Sequence, residues 1–140
     1  MIVRICLCLL IVISGLALRR FGLGFGLPTL VVKYGGSLLW AMMVFFLVAI
    51  AASGLPRRRV ALVAAAIAIG VELFRLVHAP WLDTFRLTTA GVLLLGRVFS
   101  FWNMLVYGVG IVLGALLDRF ATSAFAEATL AAPAPPHSAS

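Results

Sequence analysis

The sequence has 140 residues, which is enough for one modest domain. Hydrophobic residues make up 64%, charged residues 11%, and the mean hydropathy is +1.21, whereas a soluble domain carries about a quarter charged residues. This composition excludes a soluble enzyme, a coiled coil and a disordered binder, and it predicts an all-α integral membrane protein. The net charge of +7 does not indicate nucleic-acid binding, because the basic residues flank apolar runs and form no stripe with interleaved aromatic residues.

Four stretches are long enough to cross the hydrocarbon core of a bilayer, which takes about 20 mainly apolar residues per helix. They are residues 2–18, 34–52, 60–77 and 101–117. We therefore expect a four-helix transmembrane domain over residues 1–118. Residues 119–140 are rich in Ala, Pro and Ser and predict a disordered tail. The first span has features of a signal peptide, but the double arginine after it and the three further spans favour an uncleaved anchor.

The connections between the spans predict the orientation. The third loop, from His78 to about residue 100, contains an apolar run at 92–95 that is too short to span, which predicts an interfacial or re-entrant segment. With four spans, both termini lie on the same side as Arg57, Arg58 and Arg59. Since basic loops favour the cytoplasm, we expect both termini to be cytoplasmic in a multi-pass protein of a bacterial inner membrane.

Polar residues near one end of the predicted bundle are the candidate binding site. Charges inside apolar spans are costly and usually face the bundle interior or mark function. The residues that we expect to form a polar cluster at the outer end are Glu72, Arg75, His78, Asp83, Arg86, Arg97, Asn103 and Tyr107. Two of their pairings have a purely structural alternative, because Glu72 with Arg75 and Asp83 with Arg86 are spaced for a salt bridge on one helix face.

The fourth span carries two glycines on the same helix face as Asn103 and Tyr107. Gly110 and Gly114 form a Gly-x-x-x-Gly pair, which lets another helix approach closely. We expect this face to pack inside the bundle, with a homo-oligomer seam as the alternative. No metal site or cofactor is expected, because a zinc centre needs three or four ligands and Cys6 and Cys8 lie at the opposite end of the first span from the polar residues.

Several segments together resemble a known family. They are VKYGGSLLWA at 32–41, VEL at 71–73, HAPWLD at 78–83, LLGR at 94–97, LVY at 105–107 and GIVLG at 110–114. They are similar to the small bacterial membrane proteins grouped as domain of unknown function 2809, and more distantly to VanZ-like proteins. The resemblance to VanZ-like proteins implies a similar helical bundle and an envelope role. The chain departs from the family pattern at two positions, where Asn103 replaces an acid and Arg75 replaces a glutamine.

Three functions are compatible with these residues. The first is a non-enzymatic inner-membrane protein that binds envelope lipids or partners, and it is favoured because no catalytic motif is present. The second is a small oligomeric transporter or channel for a polar or amphiphilic solute, with Glu72 in its binding point. The third is a membrane-embedded hydrolase or transferase. For a hydrolase, Ser37, His78 and Asp83 lie on one membrane side, but no Gly-x-Ser-x-Gly elbow frames the serine.

Overall fold

A computed structural model describes residues 1–74, 76, 80–88 and 101–131 of the chain, and all its regular structure there is helical. The helices are α1 (Ile2–Phe21), α2 (Thr29–Ala51), α3 (Arg57–Phe74), α4 (Pro80–Arg86) and α5 (Phe101–Ala131). Three of them, α1, α2 and the Phe101–Phe125 part of α5, are long and apolar enough to cross a membrane. These three match the first, second and fourth predicted spans.

Helix α3 differs from the other long helices in its charge. Four of its 18 residues are charged, three arginines in its first turn and Glu72 near its end. By length and composition it is therefore not among the helices that qualify as spans. The third predicted span, residues 60–77, extends beyond α3 to positions outside the described residues. The same holds for the apolar run at 92–95 in the third loop.

Helix α2 is the centre of the bundle. It packs against α1, α3 and α5, and α3 also packs against α5. Its buried residues include Phe45 and Phe46, which are fully enclosed and meet edge to face with ring centroids 5.5 Å apart. Small residues of α3, Ala64 and Ala68, are also fully or almost fully buried. The core is therefore built where aromatic rings of α2 face the small side chains of its neighbours.

Proline and glycine decide where the helices begin and turn. Pro28 precedes α2 and Pro56 precedes α3, where their carbonyls accept the first backbone hydrogen bonds of each helix. Gly26 has a positive φ of 78°, which only glycine adopts without strain, and it closes the turn between α1 and α2. The loop between α1 and α2 spans only residues 22–28.

Pro80 is the first residue of α4, a position that suits a residue without a backbone N–H. One predicted boundary needs correction. Helix α5 continues to Ala131, so residues 119–131 are helical rather than part of the disordered tail predicted from residue 119. The run Ala121–Ala131 lacks proline and glycine, and good helix formers extend a helix that is already nucleated.

Candidate functional site

A buried polar cluster connects α2, α3 and α5 near one end of the bundle. The Tyr107 hydroxyl donates a hydrogen bond to Oε2 of Glu72 at 3.1 Å, and the Ser37 hydroxyl donates to Oδ1 of Asn103 at 3.4 Å. Glu72 is fully buried, and Tyr107, Asn103 and Ser37 are 3%, 4% and 7% exposed. We call these four residues the inner polar cluster. Their mutual hydrogen bonds offset the cost of removing them from water.

Close packing of α5 on α2 brings this cluster together. A Cβ on Gly110 would lie 2.6 Å from the backbone oxygen of Leu38 and 2.9 Å from the Cβ of Ala41. One helical turn further along α5, a Cβ on Gly114 would lie 3.1 Å from the ring of Phe45. Both glycines therefore face α2 within the same chain. Their small size lets the two helix backbones approach closely. Asn103 and Tyr107 lie on the same stripe of α5, so this close approach buries them against α2.

Two further side chains border the inner polar cluster. The ring of Trp40 packs against the ring of Tyr107 with centroids 5.2 Å apart and planes tilted by 45°. The Arg19 side chain crosses α2 at Gly36, where a Cβ would lie 2.8 Å from its Nε. Gly36 therefore leaves room for a guanidinium group beside Ser37. Sequence reasoning did not identify this role, although the Gly35-Gly36 pair in a membrane-type helix indicates a close approach.

The other predicted site residues lie elsewhere. Arg75, His78 and Arg97 are outside the described residues. The sequence predicts that Glu72 pairs with Arg97 across the bundle, because Arg75 is close enough to a helix end to reach water by itself, and this pairing stays a prediction. Asp83 and Arg86 belong to α4, which does not approach α1, α2, α3 or α5 closely within the described part of the chain. Asp83 is only partly buried. Of the eight candidates, the structure thus brings Glu72, Asn103 and Tyr107 together.

A second polar cluster lies at the opposite end of the bundle, about 22 Å along α5 from Asn103. Its centre is Asp118, whose side chain is fully buried. Arg4 donates from Nε and Nη2 to the two carboxylate oxygens of Asp118 at 2.6 and 3.0 Å, and Arg57 donates from Nε to Oδ2 at 2.8 Å. Arg4 also donates from Nη1 to the backbone oxygen of Ala49 at 3.0 Å. We call Arg4, Arg57 and Asp118 the arginine–aspartate cluster.

This second cluster joins four helices and was not predicted from the sequence. It connects the start of α1, the end of α2, the start of α3 and the middle of α5. Helices α1 and α3 therefore run in one direction, and α2 and α5 run in the other. The signal was present, since Asp118 continues the stripe of Asn103, Tyr107, Gly110 and Gly114 at the next turn. Ending the predicted span at residue 117 removed Asp118 from that stripe.

The two clusters differ in the chemistry that they permit. The inner polar cluster contains a carboxyl that accepts a hydrogen bond from a hydroxyl, and its residues are enclosed. The arginine–aspartate cluster is a charge-assisted, bidentate arrangement in which Arg4 and Arg57 retain 20% and 42% side-chain exposure. Within the described residues, no group of three or more His, Cys, Asp or Glu side chains is placed to hold a metal ion.

Comparison with known proteins identifies the family. The family model described as protein of unknown function DUF2809 matches residues 26–111, which is more than half of the chain. The match covers α2, α3, α4 and the first part of α5, and it includes all four residues of the inner polar cluster but not Asp118. No solved structure matches the chain. The family match confirms the resemblance to domain of unknown function 2809, and the chain belongs to the DUF2809 family.

Proposed function

We propose that this chain is a multi-pass protein of a bacterial inner membrane that binds envelope lipids and catalyses no reaction on them. The observation that carries this proposal is the contrast between the enclosed polar groups and the exposed apolar ones. Glu72 and Tyr107 are buried and hydrogen-bonded to each other. Large apolar side chains cover the outside, including Leu10 at 60%, Leu62 at 70% and Leu105 at 63% exposure.

This contrast supports lipid contact over catalysis. An exposed apolar surface of this extent is stable next to acyl chains and unfavourable in water. A reaction centre needs a substrate within hydrogen-bonding distance of its acid and base, and the described side chains around Glu72 enclose it completely. The inner polar cluster therefore serves to fix α2, α3 and α5 in one arrangement.

The proposed topology has four spans with both termini in the cytoplasm. The contacts of Arg4 and Arg57 with Asp118 place the start of α1, the start of α3 and the later part of α5 at one end. This end carries Arg58 and Arg59, so the positive-inside rule directs it to the cytoplasm. A reporter fused after residue 131 that is active only in the cytoplasm is expected to be active, and activity of a periplasm-specific reporter there would contradict the topology.

Lipid binding is tested by purifying the protein in a mild detergent and analysing the bound lipids by mass spectrometry. We expect one phospholipid class to be enriched relative to the total membrane extract. An unrelated membrane protein, purified in the same detergent, is the control for lipid that co-purifies non-specifically with any apolar surface. Conversion of the bound lipid to a product during incubation would refute the non-enzymatic role, and absence of any enrichment would refute lipid binding.

Transport by an oligomer is the second candidate, because an ionisable residue such as Glu72 inside a helical bundle is often part of a solute or proton path. In this function, proteoliposomes would show flux that Glu72→Gln abolishes and Tyr107→Phe reduces. Cross-linking would show an oligomer, since Glu72 is fully enclosed within the described part of a single bundle. Flux unchanged by Glu72→Gln, or a purely monomeric protein, would rule this candidate out.

A further inference from the structure

A groove lies at the end of the bundle that holds the arginine–aspartate cluster. It has a volume of about 330 Å³ and is lined by Met1, Ile2, Val3, Arg4, Thr122 and Phe125. Three of its apolar side chains, Met1, Ile2 and Phe125, are 65%, 75% and 61% exposed. The groove therefore presents an open apolar surface where the start of α1 meets the extension of α5.

The polar wall of this groove is continuous with a basic surface. Arg4 in the wall binds Asp118, and Thr122 in the wall accepts a hydrogen bond from Nη2 of Arg57 at 2.9 Å. Asp118 balances only one of the two guanidinium charges that contact it. Arg58 and Arg59 follow Arg57 and are exposed, so these described side chains add positive charge next to Arg57.

We propose that this groove and the arginines beside it bind one anionic phospholipid. The phosphate lies against Arg58 and Arg59, and the first part of an acyl chain lies along Ile2 and Phe125. Charge complementarity selects an anionic over a zwitterionic headgroup, and the apolar wall selects a lipid over free phosphate. This inference rests on the proposed lipid-binding function and assigns its site to the end of the bundle away from the inner polar cluster.

The proposal is tested by titrating the purified protein with phosphatidylglycerol and following binding by native mass spectrometry. An arginine near a membrane surface contributes about a fivefold gain in affinity for anionic lipid. Arg58→Gln with Arg59→Gln is therefore expected to weaken phosphatidylglycerol binding about 25-fold. Both side chains are exposed and outside the arginine–aspartate cluster, so the thermal unfolding temperature is expected to stay unchanged.

The matched control removes two exposed cations from the other end of the bundle. Arg20→Gln with Lys33→Gln changes the net charge by the same amount, and both residues are exposed. This control is expected to change phosphatidylglycerol affinity less than twofold. An equal loss in both double variants would show a response to total charge and would overturn the site.

Two further probes distinguish the ligand. Phosphatidylcholine is expected to bind more weakly than phosphatidylglycerol to the wild type and equally to both double variants. Inorganic phosphate is expected to compete poorly, and Phe125→Ala is expected to weaken phosphatidylglycerol binding about threefold. If inorganic phosphate displaced phosphatidylglycerol at an equal concentration, the groove would bind phosphate and the proposed lipid occupant would be wrong.

The outcomes separate this inference from the proposed function. Retention of phosphatidylglycerol by the wild type and equally by the Arg58→Gln, Arg59→Gln variant would refute only the site. Absence of any retained phospholipid in the wild type would refute the proposed function and, with it, the site.

Discussion

Removal of the Asp118 charge tests the arginine–aspartate cluster most directly. Asp118→Asn keeps the size of the side chain but leaves Arg4 and Arg57 facing each other without a counter-ion. Removing one partner of a buried ion pair costs about 3–5 kcal/mol. Because Arg4 is 20% and Arg57 is 42% exposed, both can partly reach solvent. We therefore expect a cost below this range, about 2–3 kcal/mol of unfolding free energy.

The measurement is reversible unfolding in mixed micelles, followed by helical circular dichroism. Arg119→Ala is the matched control, because Arg119 is the exposed neighbour of Asp118, and its expected cost is within about 0.5 kcal/mol. Arg4→Ala alone is expected to cost less than Asp118→Asn, since Arg57 still pairs with Asp118. The double variant should cost less than the sum of the two single changes. Additive losses, or an Asp118→Asn cost as small as that of Arg119→Ala, would refute the proposed coupling.

Three other changes have expected outcomes in the same unfolding assay. Gly110→Leu is expected to cost about 3 kcal/mol or more, because its side chain would overlap the Leu38 backbone oxygen. Tyr107→Phe is expected to cost about 1–3 kcal/mol, because it removes a hydrogen bond to the buried Glu72 carboxyl. Truncation after Phe120 is expected to cost about 1 kcal/mol, because it removes the hydrogen bond between Arg57 and Thr122. Each change has a control within the chain. For Gly110→Leu it is Gly70→Ala, where a Cβ meets nothing within 4 Å, and this control is expected to be neutral or stabilising. For Tyr107→Phe it is Tyr34→Phe on the half-buried Tyr34, which is expected to be neutral, and for the truncation after Phe120 it is truncation after Ala131, which is expected to have no effect. A variant that behaves like its control would contradict the contact assigned to it.

The predicted pairing of Glu72 with Arg97 has its own double-variant test. Glu72→Ala and Arg97→Ala are each expected to cost about 1–3 kcal/mol, and together clearly less than the sum, because each change leaves a charge unpaired. Unfolding in mixed micelles measures the three free energies. Additive costs would show that the two side chains do not meet.

Part of the candidate site followed from local spacing alone. Asn103, Tyr107, Gly110 and Gly114 recur at helical intervals, and the structure places all four on the side of α5 that faces the bundle. Glu72 was identified because a lone carboxylate in an apolar run needs a partner. Its partner Tyr107 is 35 residues away in the chain, and no local rule selects it over Arg75 or Arg97.

The sequence by itself determined the helical class, the three long apolar helices and the stripe of small and polar residues on α5. Hydropathy and helical periodicity act within a few residues, so local sequence carries them. Only the tertiary structure decided that Asp118 is buried and bound by Arg4 and Arg57. Arg4 and Asp118 are 114 residues apart. In the sequence, each looks like an ordinary charged residue at the end of an apolar span. Their pairing depends on which helix ends lie next to each other, and the packing of α2 against its neighbours determines this. Burial then favours the pairing, because an unpaired buried charge is costly.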